Sequence, residues 1–164
     1  MLDLLPDLFD HYHSQLSLLT PHYRQYGLKR IFWGEVVTVK CFEDNSKVKQ
    51  ILAQPGQGKV LVVDGGGSNR RALLGDMIAQ SAVDNGWSGI VINGYVRDVA
   101  ALSQMPIGIQ ALGANPIKTE KRDLGDVNVT LEIDRVIINP GMMLYADDNG
   151  IALSASKLDI SQMC

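Results

Sequence analysis

Cysteine is scarce in this chain. Cys41 and Cys164 are the only two, and they lie far apart in no shared motif. They read as one core thiol and one loose terminal thiol, not as a disulfide framework. Positive charge is not in excess either. Fifteen Lys and Arg stand against eighteen Asp and Glu, for a net charge of −3 and a pI near 5.5. The electrostatic footprint of a nucleic-acid binder is absent, so no direct nucleic-acid partner is expected. No apolar run approaches the ~18 residues of a membrane span, so no membrane partner is expected. Asp3, Pro6 and Asp7 interrupt the only apolar start, which argues against a secretory leader. A reducing cytoplasm is the expected compartment. Several catalytic signatures are missing as well. There is no G-x-S-x-G elbow, no G-x-G-x-x-G and no Gly-Lys-Ser/Thr. His11 and His13 lack the i, i+4 spacing of a helical zinc pair, and with His22 they read as surface residues.

What is present describes a folded α/β chain. Its 164 residues, 46% hydrophobic and 20% charged, fit one domain spanning 1–164. A chain of this size buries roughly 70% of its unfolded surface. Leu5, Leu8, Phe9, Tyr12 and Leu16 recur every three or four residues and predict a helix over 4–19, ended by Pro21. The β-branched run 34–41 predicts a strand. Asp44-Asn45-Ser46 starts a short helix to about Leu52. Residues 59–64 and 89–93 read as buried strands around a helix of about ten residues that stops at Asn85-Gly86. That is a parallel βαβ unit. Beyond residue 105 the chain turns mostly to β, with strands near 107–112, 127–133, 135–138 and 151–153. The expectation is a mixed front and a β-rich C-terminal third.

The chemistry gathers around an Asp, twenty intervening residues, then Arg-Asp: Asp76, Arg97 and Asp98. Ligands of βαβ folds collect beyond the carboxyl ends of strands. Arg97 offers a planar fork for a carboxylate. Asp98 offers a hard oxygen for Mg²⁺, with Asp76 as a second ligand or a holder of metal-associated water. If a helix starts near Gly75, the amides of Gly75, Asp76, Met77 and Ile78 face an anion. If Arg71–Leu74 form an earlier helical turn, those amides are consumed. A surface Arg–Asp pair, with Asp76 as a plain helix cap, is the structural alternative. Gly65-Gly66-Gly67 reads as a tight turn, and Arg70 and Arg71 as solvated or paired. Lys40 and Lys59 flank strands, and nothing singles either out as a Schiff-base lysine.

Val62-Val63-Asp64-Gly65-Gly66-Gly67, Gly75-Asp76, Gly89-Ile90-Val91, Arg97-Asp98 and Tyr145-Ala146-Asp147 form an ordered set. In this the chain resembles the regulator of ribonuclease activity A and its relatives, the class II 4-hydroxy-4-methyl-2-oxoglutarate aldolases, from about Asp7 to Ser156. The resemblance implies a β/β/α swivelling-domain-like fold and a ring-shaped homotrimer. It implies a lyase releasing pyruvate, with oxaloacetate decarboxylase activity through the same enolate. The cofactor would be a divalent cation, Mg²⁺ with Mn²⁺ as the alternative. In that pattern Gly75 to Ile78 bind the substrate carboxylate, Arg97 binds the pyruvyl group, Asp98 ligates the metal and Asp76 positions water. Regulators in the family can lack the second Asp, so Asp98 tilts this chain toward enzyme. The alternative is a protein that binds and inhibits an RNA-degrading endonuclease. Two departures stand out. Met142 occupies a position where the family often has Asp, and no counterpart is evident for an acidic group that some longer aldolases take from a neighbouring subunit.

Overall fold

A computed structural model describes residues 1–163; Cys164 and the terminal thiol expected there lie outside the described residues. In chain order the elements are α1 (Leu5–Tyr12), a 3-10 turn (His13–Gln15), β1 (Leu16–Leu19), β2 (Arg24–Gln25), β3 (Phe32–Lys40), α2 (Ser46–Leu52), β4 (Lys59–Asp64), β5 (Ala72–Leu74) and α3 (Asp76–Asp84). There follow β6 (Gly89–Val96), α4 (Val99–Leu102), β7 (Gly108–Ala114), β8 (Asp126–Val127), β9 (Leu131–Ile133), β10 (Val136–Ile138), β11 (Met143–Asp147) and β12 (Gly150–Ser154).

β3, β4, β6 and β7 lie side by side and parallel at the centre of a mixed sheet. Parallel strands are buried on both faces, which is why Val60 to Val63 form an unbroken apolar run. On one face Val39, Leu61, Val63, Ile90 and Ile92 pack against α2, α3 and α4. On the other, Val36, Val60, Val62 and Val91 meet Leu131, Ile133 and Ile138 of the β9–β10 hairpin. Asp134 and Arg135 both take positive φ in that hairpin's two-residue turn, as a primed turn requires. The layers are therefore helices, a large mixed sheet and a small β-hairpin sheet, the β/β/α arrangement expected. No helix of the described residues is long and apolar enough to cross a membrane.

The N-terminal helix is shorter than its periodicity predicts. It ends at Tyr12, and Leu16–Leu19 instead pair antiparallel with Ser154–Ile151 of β12. Pairing at the open edge of β12 outweighs one helical spacing at Leu16, so Pro21 follows a strand and ends no helix. α1 docks Leu4, Leu5 and Leu8 on Met143, Tyr145 and Ala152. Buried Asp147 anchors its start, with Oδ2 accepting the Leu4 and Leu5 N–H groups at 2.8 and 2.9 Å. The Tyr145 hydroxyl accepts the Leu158 N–H. Two members of the Tyr145-Ala146-Asp147 motif thus hold chain segments in place.

Candidate active site

β5 decides where the site forms. Ala72–Leu74 is extended, not helical, because it pairs in parallel with Tyr95 and Val96 at the far end of β6. The earlier helical turn is thereby excluded, and α3 begins after Gly75. The same pairing sets Leu74 beside Val96, and the Arg97 N–H donates to the Leu74 carbonyl at 2.9 Å. Gly75 and Asp76 therefore meet Arg97 and Asp98 at the carboxyl end of the sheet. The twenty-residue interval spans one helix and one returning strand.

Asp98 closes the cluster. It adopts the left-handed region at φ 59° and ψ 42°, which Asp tolerates better than most residues. Its Oδ2 accepts the backbone N–H of Asp76 at 2.9 Å. The Arg97 Nε lies 3.8 Å from the same oxygen. Both side chains remain over a third exposed, at 38% and 36%. Asp98 Oδ1 has no hydrogen-bond partner among the described residues. The Asp76 amide, expected to face a substrate, is occupied by Asp98. The Met77 and Ile78 N–H groups have no partner among the described residues and stay available at the positive end of α3. The Asp76 side chain is exposed at the same helix start.

A cleft of about 370 Å³ opens here. Gly75, Asp76, Met77, Ile78 and Arg97 line it, so five of the six site residues read from sequence share one cavity, with Asp98 bonded to its wall. Lys49, Lys118 and Lys121 line it too. Sequence reasoning missed all three, whereas Lys40 and Lys59 are not on its wall. Lys49 comes from α2, and Lys118 and Lys121 from the loop after β7, two segments that no local pattern joins. A buried polar network joins them: Thr119 Oγ1 donates to Asn45 Oδ1 at 2.7 Å, and Asn45 Nδ2 donates to the Leu73 carbonyl at 3.2 Å. Asp44 accepts the Arg122 and Leu124 N–H groups at 2.8 and 3.2 Å, as well as the backbone N–H and hydroxyl of Ser46. Burial alone would raise its pKa, but these hydrogen bonds prevail and hold it at about 2.

The donor set fits a magnesium-like cation. Mg²⁺ commonly takes one or two carboxylates and keeps several waters, so one fixed carboxylate with a free oxygen beside a second acid suffices. A three-member cluster of His, Cys, Asp or Glu is absent among the described residues. Other candidate features resolve as structural. The Gly65 and Gly67 amides donate to the Asn93 carbonyl, and that of Gly66 to Asp64 Oδ1, so this loop has none left to cradle phosphate. Arg70 pairs with Glu43 at 2.8 Å, and Arg71 donates to the Lys118 carbonyl. His11, His13 and His22 are exposed. Cys41 is buried, and burial pushes its thiol up to about 12. Met142 sits in a turn, and its carbonyl accepts the Val36 N–H.

Comparison with known proteins agrees with this architecture. A Shewanella oneidensis protein named "Putative 4-hydroxy-4-methyl-2-oxoglutarate aldolase" is 67% identical over 161 residues, 98% of each chain. A solved structure described as the RNA-processing inhibitor RraA from Thermus thermophilis superposes with a TM-score of 0.93 at 40% identity, covering 99% of this chain and 98% of that one. Another, described as S-adenosylmethionine: 2-dimethylmenaquinone methyltransferase from Geobacillus kaustophilus, gives 0.92 at 42% identity, covering 94% and 96%. Three names on one fold leave the activity to be argued from the site. The family model RraA-like, described as Aldolase/RraA, matches residues 4–153, and the chain belongs to that family.

Proposed function

We propose that this protein is a divalent-cation-dependent lyase that cleaves 4-hydroxy-4-methyl-2-oxoglutarate to pyruvate and also decarboxylates oxaloacetate. One observation carries the reading: the Asp76 N–H holds Asp98 Oδ2 at 2.9 Å beside the Arg97 guanidinium, at a helix start that opens into a cleft. The aldolase name of the 67% identical relative supports it.

Both reactions break a bond next to an α-keto acid and leave negative charge on the keto oxygen. A bound Mg²⁺ or Mn²⁺ would supply Lewis-acid charge there, with Asp98 holding it. The Met77 and Ile78 amides and the α3 dipole seat the substrate carboxylate. Arg97 adds fixed positive charge where the enolate forms. Asp76, exposed at the cleft, takes the hydroxyl proton through water as the carbon–carbon bond breaks. The electron pair moves into the enolate while the other fragment leaves, as a second pyruvate from the hydroxy diacid or as CO₂ from oxaloacetate, and the enolate is then protonated at carbon to give pyruvate. Met77 lines this cleft and is 84% exposed, apolar surface suited to cover by a neighbouring copy in a homotrimer.

Asp98→Asn is the direct test. An amide oxygen still accepts the Asp76 N–H, so the fold and melting temperature stay near wild type. The anionic ligand is lost, and pyruvate release falls by about 10²-fold or more. Wild-type rates in Asp98→Asn would refute the assignment.

A second reading rests on the 40% identical relative described as an RNA-processing inhibitor. On that reading the chain binds an RNA-degrading endonuclease through a protein surface. A pull-down at micromolar concentration tests it, and Asp98→Asn would leave that binding intact.

A further inference from the structure

The cleft is more cationic than one pyruvyl group requires. Lys49, Lys118, Lys121 and Arg97 line it against Asp76, with Asp98 at the wall offsetting Arg97, in a chain whose net charge is −3. None of the three lysines makes an ion pair among the described residues, whereas Lys47 on the same helix pairs with Asp123 at 2.9 Å. Unpaired like charges around one cavity repel each other and focus a field that favours an anion.

Lys118 is the most firmly placed of the three. It forms a parallel bridge with Ala72, three residues before Gly75. The Ala72 N–H donates to the Ile117 carbonyl at 2.7 Å, and Arg71 donates to the carbonyl of Lys118 itself. On its other side Thr119 is buried and bonded to Asn45. The backbone that carries this ammonium is thus fixed from both flanks, which lowers the ordering cost of binding.

From this we infer that Lys118, with Lys49 and Lys121 beside it, forms a second anion seat that takes the distal carboxylate of a 2-oxo diacid. This rests on the lyase reading and deepens it: Arg97 and the α3 amides receive the 2-oxo acid end, and the lysines receive the other. Preference for diacids over monoacids of equal length then resides in Lys118. A lost charge-assisted contact of this kind weakens binding roughly ten- to hundredfold.

The test compares two unreactive five-carbon acids by calorimetric titration in excess Mg²⁺. 2-Oxoglutarate carries the distal carboxylate, and 2-oxopentanoate lacks it. Wild-type protein is expected to bind 2-oxoglutarate at least about tenfold more tightly. Lys118→Met should erase most of that margin and leave 2-oxopentanoate binding unchanged, which also reports an intact fold. Lys118→Arg should keep the margin. Equal wild-type affinities, or equal weakening of both acids by Lys118→Met, would overturn the second seat while the lyase reading stands. Failure of wild-type protein to bind either acid would overturn both.

Discussion

Gly75 is the tightest position in the site. A Cβ there would lie 2.7 Å from Asp98 Oδ2 and 3.2 Å from Arg97 Nε. Its φ of −131° is ordinary, so space and not backbone freedom requires glycine. Gly75→Ala is therefore expected to push the Asp98 carboxylate off its bond to the Asp76 N–H while the fold survives. Displacements of about 1 Å at reacting groups cost on the order of 10²-fold, so kcat/KM for pyruvate release should fall by about that much with little change in melting temperature. Steady-state kinetics beside a thermal melt checks both halves. At this scale the sequence was partly legible. The adjacency of Arg97 and Asp98 and their place just after a strand show without coordinates, whereas their ligand roles are implied only by the family resemblance. Asp76 also shows, but not that its amide serves Asp98. The place of Lys118 on the cleft stayed hidden because no motif or period marks the loop that carries it.

At the scale of elements, short pieces decide more than long ones. β5 is three residues and α4 is four, too short for any period to emerge, yet β5 sets the start of α3 and α4 follows directly from the left-handed turn at Asp98. The central strands and α3 were legible because burial writes itself as apolar runs and periodicity. The helix over 4–19 misled because its last members belong to an edge strand whose partner is 138 residues away, Leu16 against Ser154. The loop after β7 hangs on Asp44, and this gives a pH prediction. Asp44 sits at about 2 in the folded chain against an ordinary 3.8. A depressed carboxylate contributes stability that is complete above its ordinary value and is lost as pH falls through the folded value. Urea denaturation should therefore show stability dropping between about pH 4 and pH 2. Asp44→Asn should be less stable at neutral pH and should flatten that dependence. An unchanged acid limb in Asp44→Asn would mean that other carboxylates control it.

The whole molecule places a half-open, cationic cleft beside exposed apolar side chains. Met77 is 84% exposed and Ile117 51%, both next to the site. A homotrimer that covers such surface should elute and scatter as a particle of three times the 17.9 kDa chain. A monomer at working concentration would place the assembly reading in error. The mixed front and β-rich last third were legible from the order of strand and helix runs, while the β/β/α layering was implied by the family resemblance. The way the hairpin covers the second face was not legible, because the sheet residues it packs on, Val36, Val60, Val62 and Val91, lie far from it in sequence.

On the lyase reading, a divalent cation held at Asp98 is needed for pyruvate release. The decisive measurement strips the protein with a chelator, then assays pyruvate from 4-hydroxy-4-methyl-2-oxoglutarate and from oxaloacetate as Mg²⁺ is returned. The stripped protein is expected to release no pyruvate enzymatically, and release from both substrates should return with one shared Mg²⁺ dependence, after subtraction of the metal-only decarboxylation of oxaloacetate. Full activity after chelation, or a lysine adduct trapped by borohydride, would contradict it.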